Sequence, residues 1–161
     1  MDEVADERLT LGFLLRDTSR LMRRRFVQRA RDAKLEVNRS ESAVLAEIAR
    51  TEGVNQATLA ARLDMEPITL VRLIDRLQEL GLAERRAQTG DRRVRTLWLT
   101  DAGWPVVARI MAIRRRVREE AMADLSPQAS AALLDSLRAV RARLAAMSND
   151  EPQGRTEAAE A

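Results

Sequence analysis

The stretch Glu66–Thr100, EPITLVRLIDRLQELGLAERRAQTGDRRVRTLWLT, decides the fold. Its first half places apolar residues at helical spacing, which predicts an amphipathic helix. Pro67 suits the first turn of that helix, and Gly81 suits the position just after its last turn. The inward stripe is expected to consist of Leu70, Leu73, Ile74, Leu77 and Leu80.

The second half of this stretch predicts a β-hairpin. The segments LAERRA (82–87) and VRTLWLT (94–100) are short strand candidates, and the pair Gly90-Asp91 marks the turn between them. Residues beside a hairpin turn project furthest from the body of a domain, and here these are Arg92 and Arg93. Because a turn needs no guanidinium groups, the arginines suggest contact with something outside the protein. The alternative is a solvated charged turn.

Helix signals also occur on both sides of this stretch. Asn38 with Glu41 predicts a capping box upstream, Asn55 predicts the cap of a further short helix, and Thr100 or Asp101 is expected to cap a long helix downstream. Ser126 followed by Pro127 predicts the start of the last helix. The expected fold is mainly α, an α+β winged helix-turn-helix with about six helices and a two-stranded wing.

The first and last helices carry apolar stripes that cannot stand alone in water, so we expect them to pack against a second copy of the chain. Their stripes are expected at Leu11, Leu14, Leu15, Met22, Phe26 and Ala30, and at Leu133, Leu137, Val140, Leu144 and Met147. The second set follows a heptad-like spacing. We therefore predict one domain over 1–147, with dimerisation helices in 9–34 and 104–147, a winged helix-turn-helix in 35–103, and a disordered acidic tail over 148–161.

Composition narrows the function classes. The chain has 161 residues, 33% of them charged, with no Cys and no His. These absences, with no Tyr and no glycine-rich phosphate loop, argue against an enzyme, a thiol sensor and the usual zinc sites, and leave only carboxylate metal sites possible. No metal or cofactor is expected. The acidic N-terminus and the short apolar runs predict a cytoplasmic protein without a membrane segment.

The charge is unevenly distributed, because both ends of the chain are acidic. Between Leu9 and Met147 the chain holds 26 basic and 17 acidic residues, and a basic body suggests a polyanionic partner. The alternative is a genome that encodes arginine freely, since Lys34 is the one basic residue that is not Arg.

The outward face of the helix in the first half of the stretch can read DNA. Thr69, Arg72 and Arg76 fall on one face at helical spacing. Arginine can hold guanine bidentately, and the threonine methyl group can touch that of thymine. The alternative is an ordinary surface helix in which Arg72 pairs with Asp75 or Arg76 pairs with Glu79.

Three segments resemble the MarR family of transcriptional regulators, close to its SlyA-like branch. The hairpin DRRVRTLWLT fits the wing pattern of that family, with Asp91, Arg93, Leu97, Leu99 and Thr100 in place. LVRLIDRLQELGLAERR resembles the end of the recognition helix and its exit strand, and LSPQASAALLDSLRAVRARL resembles the last dimerisation helix.

The resemblance implies a homodimer that places a recognition helix in the major groove and a wing in the minor groove of a near-palindromic operator. By position, bases would be read by Thr69 and Arg72, and the minor groove by Arg93. Phosphate or other backbone contacts would come from Ser40, Gln56, Arg76, Arg92 and Arg95. The function expected is a sequence-specific repressor of transcription. The alternatives are an architectural DNA-binding protein without sequence choice and a helical protein–protein adaptor.

Many MarR-family regulators release DNA when a small aromatic or anionic compound binds. In this chain Phe13, Arg16, Arg20 and Trp104 are the candidate ligand-binding residues, because an arginine beside apolar walls can hold a carboxylate. The alternative is that these are surface or interface arginines and core apolar residues.

Overall fold

The computed structural model describes residues 10–88 and 91–149, without the side chains of 88, 91–94, 148 and 149. The chain divides into two compact units, Met1–Ala121 and Met122–Ala161. The elements of the first are α1 Leu11–Asp32, α2 Arg39–Arg50, β1 Val54–Asn55, α3 Gln56–Leu63, α4 Pro67–Glu79, β2 Ala83–Gln88, β3 Asp91–Leu99 and α5 Gly103–Ala121. The second unit contains α6, Pro127–Asn149. The predicted mainly helical winged-helix fold is confirmed.

The helix starts follow from local side-chain chemistry, as the sequence predicts. Asn38 Oδ1 accepts from the Glu41 amide at 3.0 Å, and Glu41 Oε2 accepts from the Asn38 amide at 2.7 Å, which completes the capping box. The predicted caps of three further helices are also confirmed: the Asn55 side chain accepts from Thr58, Thr100 from Gly103, and Ser126 from Ala129.

The sheet has three strands rather than the two expected. Its order is β1-β3-β2, and the short strand β1 pairs antiparallel with β3 through Val54 opposite Leu97 and Asn55 opposite Thr96. The sequence prediction missed β1 because two residues have no periodicity of their own. Their extended form is supported by partners about forty positions further along the chain.

One core holds the helices of the first unit against the sheet. The large side chains that it buries completely are Leu45, Ile48, Leu59, Leu70, Ile74, Leu77, Leu97 and Ile110. Three of these come from α4, and Leu73 and Leu80 of the same stripe are partly buried against them. The inward stripe of α4 is therefore confirmed, and the opposite face of the helix is left to solvent.

The exit from α4 is bonded directly to the start of α5. Gly81 has φ +68°, which glycine adopts without strain, and its carbonyl accepts from the Thr100 hydroxyl at 2.6 Å. The Thr100 amide donates to the Leu82 carbonyl at 3.2 Å. A Cβ on Gly103 would lie 2.2 Å from that same carbonyl oxygen, so the close approach requires glycine.

Helices α1 and α5 run antiparallel. Arg25 and Arg29 of α1 bind Glu120 near the end of α5, whereas Arg109 early in α5 donates to the backbone carbonyls of Ala33 and Lys34 after α1. These contacts lie along the side of α1 on which Phe26 and Ala30 are buried.

Much of the apolar surface of α1 and α6 remains exposed. Between 36% and 54% of the residue surface is accessible at five positions of α1: Leu11, Leu14, Leu15, Leu21 and Met22. On α6, Leu133, Leu144 and Met147 are 45–57% exposed. Four of the six residues predicted for the α1 stripe and three of the five predicted for the α6 stripe are therefore exposed in one protomer. Phe26 and Ala30 of the α1 stripe were expected to face a second copy, but they are buried in the core of their own chain because α5 packs over them. Across residues 10–88 and 91–149, no helix combines the length and apolar character that crossing a membrane requires.

Candidate nucleic-acid interface

The outward face of α4 presents the residue types that read DNA. Thr69, Arg72 and Arg76 are exposed on it, as the helical spacing predicts. The opposite face is anchored by buried leucine and isoleucine side chains. A helix fixed in this way can hold its exposed side chains at defined positions against a partner.

The alternative interpretation of α4 as an ordinary surface helix predicts an ion pair of Arg72 with Asp75 or of Arg76 with Glu79, and only the second of these two pairs is formed. Arg76 does pair with Glu79, at 3.1 Å between Nη1 and Oε2, and both side chains are more than half exposed. Asp75 is instead bound by Arg85, at 2.7 Å. Within residues 10–88 and 91–149, neither an ion pair nor a hydrogen bond holds the Arg72 guanidinium. Arg72 is therefore available to an external acceptor.

Arg85 braces α4 against the wing, and this role was not predicted from the sequence. Its Nε donates to Gln56 Oε1 at 2.7 Å, and its Nη1 lies 2.7 Å from Asp75 Oδ1 and also donates to Gln78 Oε1. This one side chain, which is 20% exposed, thus joins β2 to the first residue of α3 and to Asp75 and Gln78 in the second half of α4. We call this the Arg85 brace.

The alternation of inward and outward side chains along the wing strands could have indicated that Arg85 is bonded inside the fold. Arg85 lies opposite Leu97 in the antiparallel register, so it shares a sheet face with a fully buried residue. A guanidinium on a core-facing position needs partners, because burial of an unpaired charge is costly. The pattern therefore indicates that Arg85 is bonded inside the fold.

Ser40 and Gln56, the two predicted helix-start contacts, are half-buried and partly engaged. The Ser40 amide donates to Asn38 Oδ1 at 2.8 Å, so the cap already uses that N–H group. The oxygen of the Gln56 amide accepts from the Arg85 brace. Of their side-chain groups, the Ser40 hydroxyl and the Gln56 NH2 therefore remain for a phosphate.

Side-chain contacts and regular strand pairing stabilise the base of the wing. Trp98 donates from Nε1 to Thr96 Oγ1 at 2.9 Å, and the Arg86 guanidinium carbon lies 4.7 Å from the centre of the Trp98 ring. Arg95 is exposed opposite Ala87. The next pair along the ladder is Gln88 with Asp91, so β3 carries three more residues than β2 over this step.

The extra residues of β3 include Arg92 and Arg93. Their backbone belongs to the strand, but their side chains lie outside the described residues, as does the whole of Thr89 and Gly90. Arg92, Arg93 and Arg95 therefore all belong to strand β3 of the wing.

The helices and the wing described above match a known protein family. The model of the MarR family matches residues 35–94, from the start of the helix-turn-helix to the wing. The crystal structure of the transcriptional regulator PA3341 is 31% identical, covers 84% of this chain and 98% of its own, and superposes with a TM-score of 0.72. This chain belongs to the MarR family.

Two further structures support the winged-helix assignment. Apo wild-type MarR from E. coli is 22% identical over 81% of this chain and 96% of its own, with a TM-score of 0.73. The transcriptional repressor CouR, bound to a 23-mer DNA duplex, is 25% identical over 85% of this chain and 95% of its own, with a TM-score of 0.70.

The four candidate ligand-binding residues of this MarR-family chain are not all brought together in one protomer. Arg16 lies over the ring of half-buried Phe13, with 5.4 Å from the guanidinium carbon to the ring centre, and Arg20 pairs with Asp17 at 2.6 Å. Trp104 is 44% exposed in the first turn of α5. Because α1 and α5 are antiparallel, Trp104 lies at the opposite end of the pair, roughly 30 Å along the helix from Phe13.

Charged groups away from the α4 face have shifted pKa values. Hydrogen bonds from Arg25 and then Arg29 lower the pKa of the Glu120 carboxyl to about 2. A hydrogen bond from Arg50 lowers the pKa of Glu47, and burial lowers the pKa of Arg114. Glu120 joins α5 to α1, Glu47 of α2 also pairs with Arg62 of α3, and Arg114 of α5 donates to the Ser42 carbonyl of α2. Among the described residues no cluster of carboxylates has the arrangement of a metal site.

Proposed function

We propose that this MarR-family chain is a homodimeric repressor that binds a near-palindromic operator in double-stranded DNA. The observation that carries the proposal is the outward face of α4, where Arg72 is exposed and has no partner among the described residues. The core holds this helix from behind, and the Arg85 brace holds it at Asp75 and Gln78. The basic charge between Leu9 and Met147 supports a polyanionic partner. The complex of CouR with a DNA duplex supports the same use of this fold.

Each candidate residue has a defined part in the proposal. Thr69 and Arg72 contact base edges in the major groove, and Arg93 enters the minor groove, whose narrow form attracts guanidinium groups. The backbone contacts that set orientation without reading sequence come from Ser40, Gln56, Arg76, Arg92 and Arg95.

The dimer in this proposal is formed by α1 and α6. Their exposed leucine and methionine side chains present more apolar surface than isolated helices keep in water. Two copies related by a two-fold axis would cover these stripes and would match the symmetry of the operator. The same proposal treats 1–147 as one functional domain and 148–161 as an acidic tail outside it.

We extend the proposal to the SlyA-like branch on the wing pattern of Asp91, Arg93, Leu97, Leu99 and Thr100. The proposal includes release by a small aromatic or anionic ligand, and Arg16 beside Phe13 supports it. Since Trp104 lies at the far end of α5 from these two, a site that uses all of them would need residues from two protomers.

The test is selection of bound sequences from a random duplex pool with purified full-length chain at near-physiological salt. A two-fold symmetric motif with half-sites about one helical turn apart supports the proposal. Salt-dependent binding without any enriched motif would replace it with an architectural role. The absence of binding to any duplex would favour the adaptor.

A further inference from the structure

Ile68 is the most exposed large apolar side chain in the described part of the chain, with 63% of its surface accessible. It is the second residue of α4, directly after Pro67. The buried residues of this helix lie on its other side, so Ile68 contributes nothing to the core.

The fold gives no reason for isoleucine at this position. Alanine would form the helix better, because a β-branched side chain loses rotamer freedom in a helix. A polar residue would suit the solvent better. A single exposed apolar residue is common on protein surfaces, so the position of Ile68 is what matters. It shares the first turn with Thr69 and lies one turn before Arg72.

We propose that Ile68 reads the methyl group of a thymine in each half-site of the operator. The inference rests on the proposed DNA-binding function and adds a specificity-determining residue to it. The first turn of a recognition helix is the part that reaches base edges. Among the four bases, only thymine presents a methyl group in the major groove, and an apolar side chain is its natural contact.

The spacing along α4 also locates that thymine. Ile68 and Arg72 are four residues apart, which is about 6 Å along the helix axis. Base pairs are stacked about 3.4 Å apart, so the thymine should lie within about two base pairs of the guanine held by Arg72. The recognised half-site then contains a thymine and a guanine at this short separation.

The experiment removes the methyl group from DNA and the side chain from the protein in combination. Each thymine of the selected operator is replaced in turn by deoxyuridine, which lacks only the methyl group, and affinity is measured at fixed salt. At one position per half-site we expect wild-type affinity to fall about fourfold, the equivalent of one buried methyl group, about 0.8 kcal/mol. In Ile68→Ala the same replacement should have no effect.

Thr69→Ser provides the matched control, because it removes the neighbouring methyl group and keeps the hydroxyl. Sensitivity to deoxyuridine should persist in Thr69→Ser. If it disappears there and persists in Ile68→Ala, the thymine is read by Thr69 and the inference is overturned. The thermal midpoint of Ile68→Ala should not fall, since the side chain is exposed and alanine favours the helix.

Two other results separate this inference from the function on which it rests. A wild-type chain that selects an operator but tolerates deoxyuridine at every position would overturn the role of Ile68 and leave the repressor proposal standing. A chain that selects no duplex would overturn both.

Discussion

Arg72 and Arg76 lie one turn apart on α4 but differ in their partners, since within the described part of the chain Arg76 has an ion pair and Arg72 has none. We predict that Arg72→Ala relaxes sequence choice, with a loss of about 1–3 kcal/mol on the selected operator and little on random duplex. Arg76→Ala should weaken all duplexes similarly and reduce the salt slope by about one. Competition binding at several salt concentrations measures both. Equal weakening of all sequences by Arg72→Ala would make Arg72 a phosphate contact.

Gly103 and Gly12 are a second contrasting pair of residues. Because a Cβ on Gly103 would lie 2.2 Å from the Leu82 carbonyl oxygen, Gly103→Ala should lower the free energy of unfolding by about 1–3 kcal/mol. Gly12 has no atom within 4 Å of such a Cβ, so Gly12→Ala should leave it unchanged or raise it slightly. Denaturant unfolding of both variants checks this, and similar stabilities would contradict the close approach described at Gly103.

The Arg85 brace is the main polar connection between the wing strand β2 and the helices α3 and α4. Arg85→Met leaves two glutamine side chains and Asp75 without their donor, so we expect the free energy of unfolding to fall by about 1–3 kcal/mol. Arg76→Met removes an exposed pair on the same helix and should cost less than about 1 kcal/mol. Chemical denaturation compares them. An equal cost would show that the brace is no stronger than a surface pair.

The contact of α1 with α5 should be sensitive to acid. Arg25 and Arg29 lower the pKa of Glu120 from 4.5 to about 2 in the folded chain. A carboxyl whose pKa is lowered by folding stabilises the fold above its unfolded value, and this contribution is lost as pH falls from about 4.5 towards 2. Glu120→Gln should therefore be less stable at neutral pH, and the difference should shrink over that window. Thermal unfolding from pH 7 to pH 2 measures it, and a constant difference would exclude this cause.

Elements whose ends depend on neighbouring residues could be predicted from the sequence. The Asn38–Glu41 box and the caps at Asn55, Thr100 and Ser126 all join groups within a few positions of each other. The α4 stripe was predictable for the same reason, since burial on one face repeats every turn.

Features that join distant parts of the chain were not predictable in this way. Strand β1 exists through its pairing with Leu97 and Thr96, and Asp75 binds Arg85 instead of the nearer Arg72. Sequence spacing favours partners on the same helix, whereas the fold brings a wing strand closer. The sequence therefore predicted which face of α4 is exposed, but the partners of Arg72 and Arg85 could be determined only from the tertiary structure.

At the scale of the whole molecule, the second unit has little reason to be helical alone. In its described part α6 buries no residue, and the apolar side chains of Leu133, Leu144 and Met147 are exposed. We predict that truncation after Leu125 gives a folded monomer, because the core lies entirely in the first unit. A chain ending at Met147 is the control and should remain dimeric. Sedimentation with circular dichroism checks this, and a dimer after the shorter truncation would contradict the interface proposed for α6.

The hydrogen bonds and the close approach at Gly81, Leu82, Thr100 and Gly103 restrict relative movement of the end of α4 and the beginning of α5. Helix α5 is about 28 Å long and is also held in the core along its length by Val107, Ile110, Ile113 and Val117. The end of α4 and the whole of α5 are therefore expected to move as one rigid body. A tilt of about 2° of this body displaces the far end of α5 by about 1 Å, so a displacement near Glu120 is expected to be accompanied by a change in the orientation of α4.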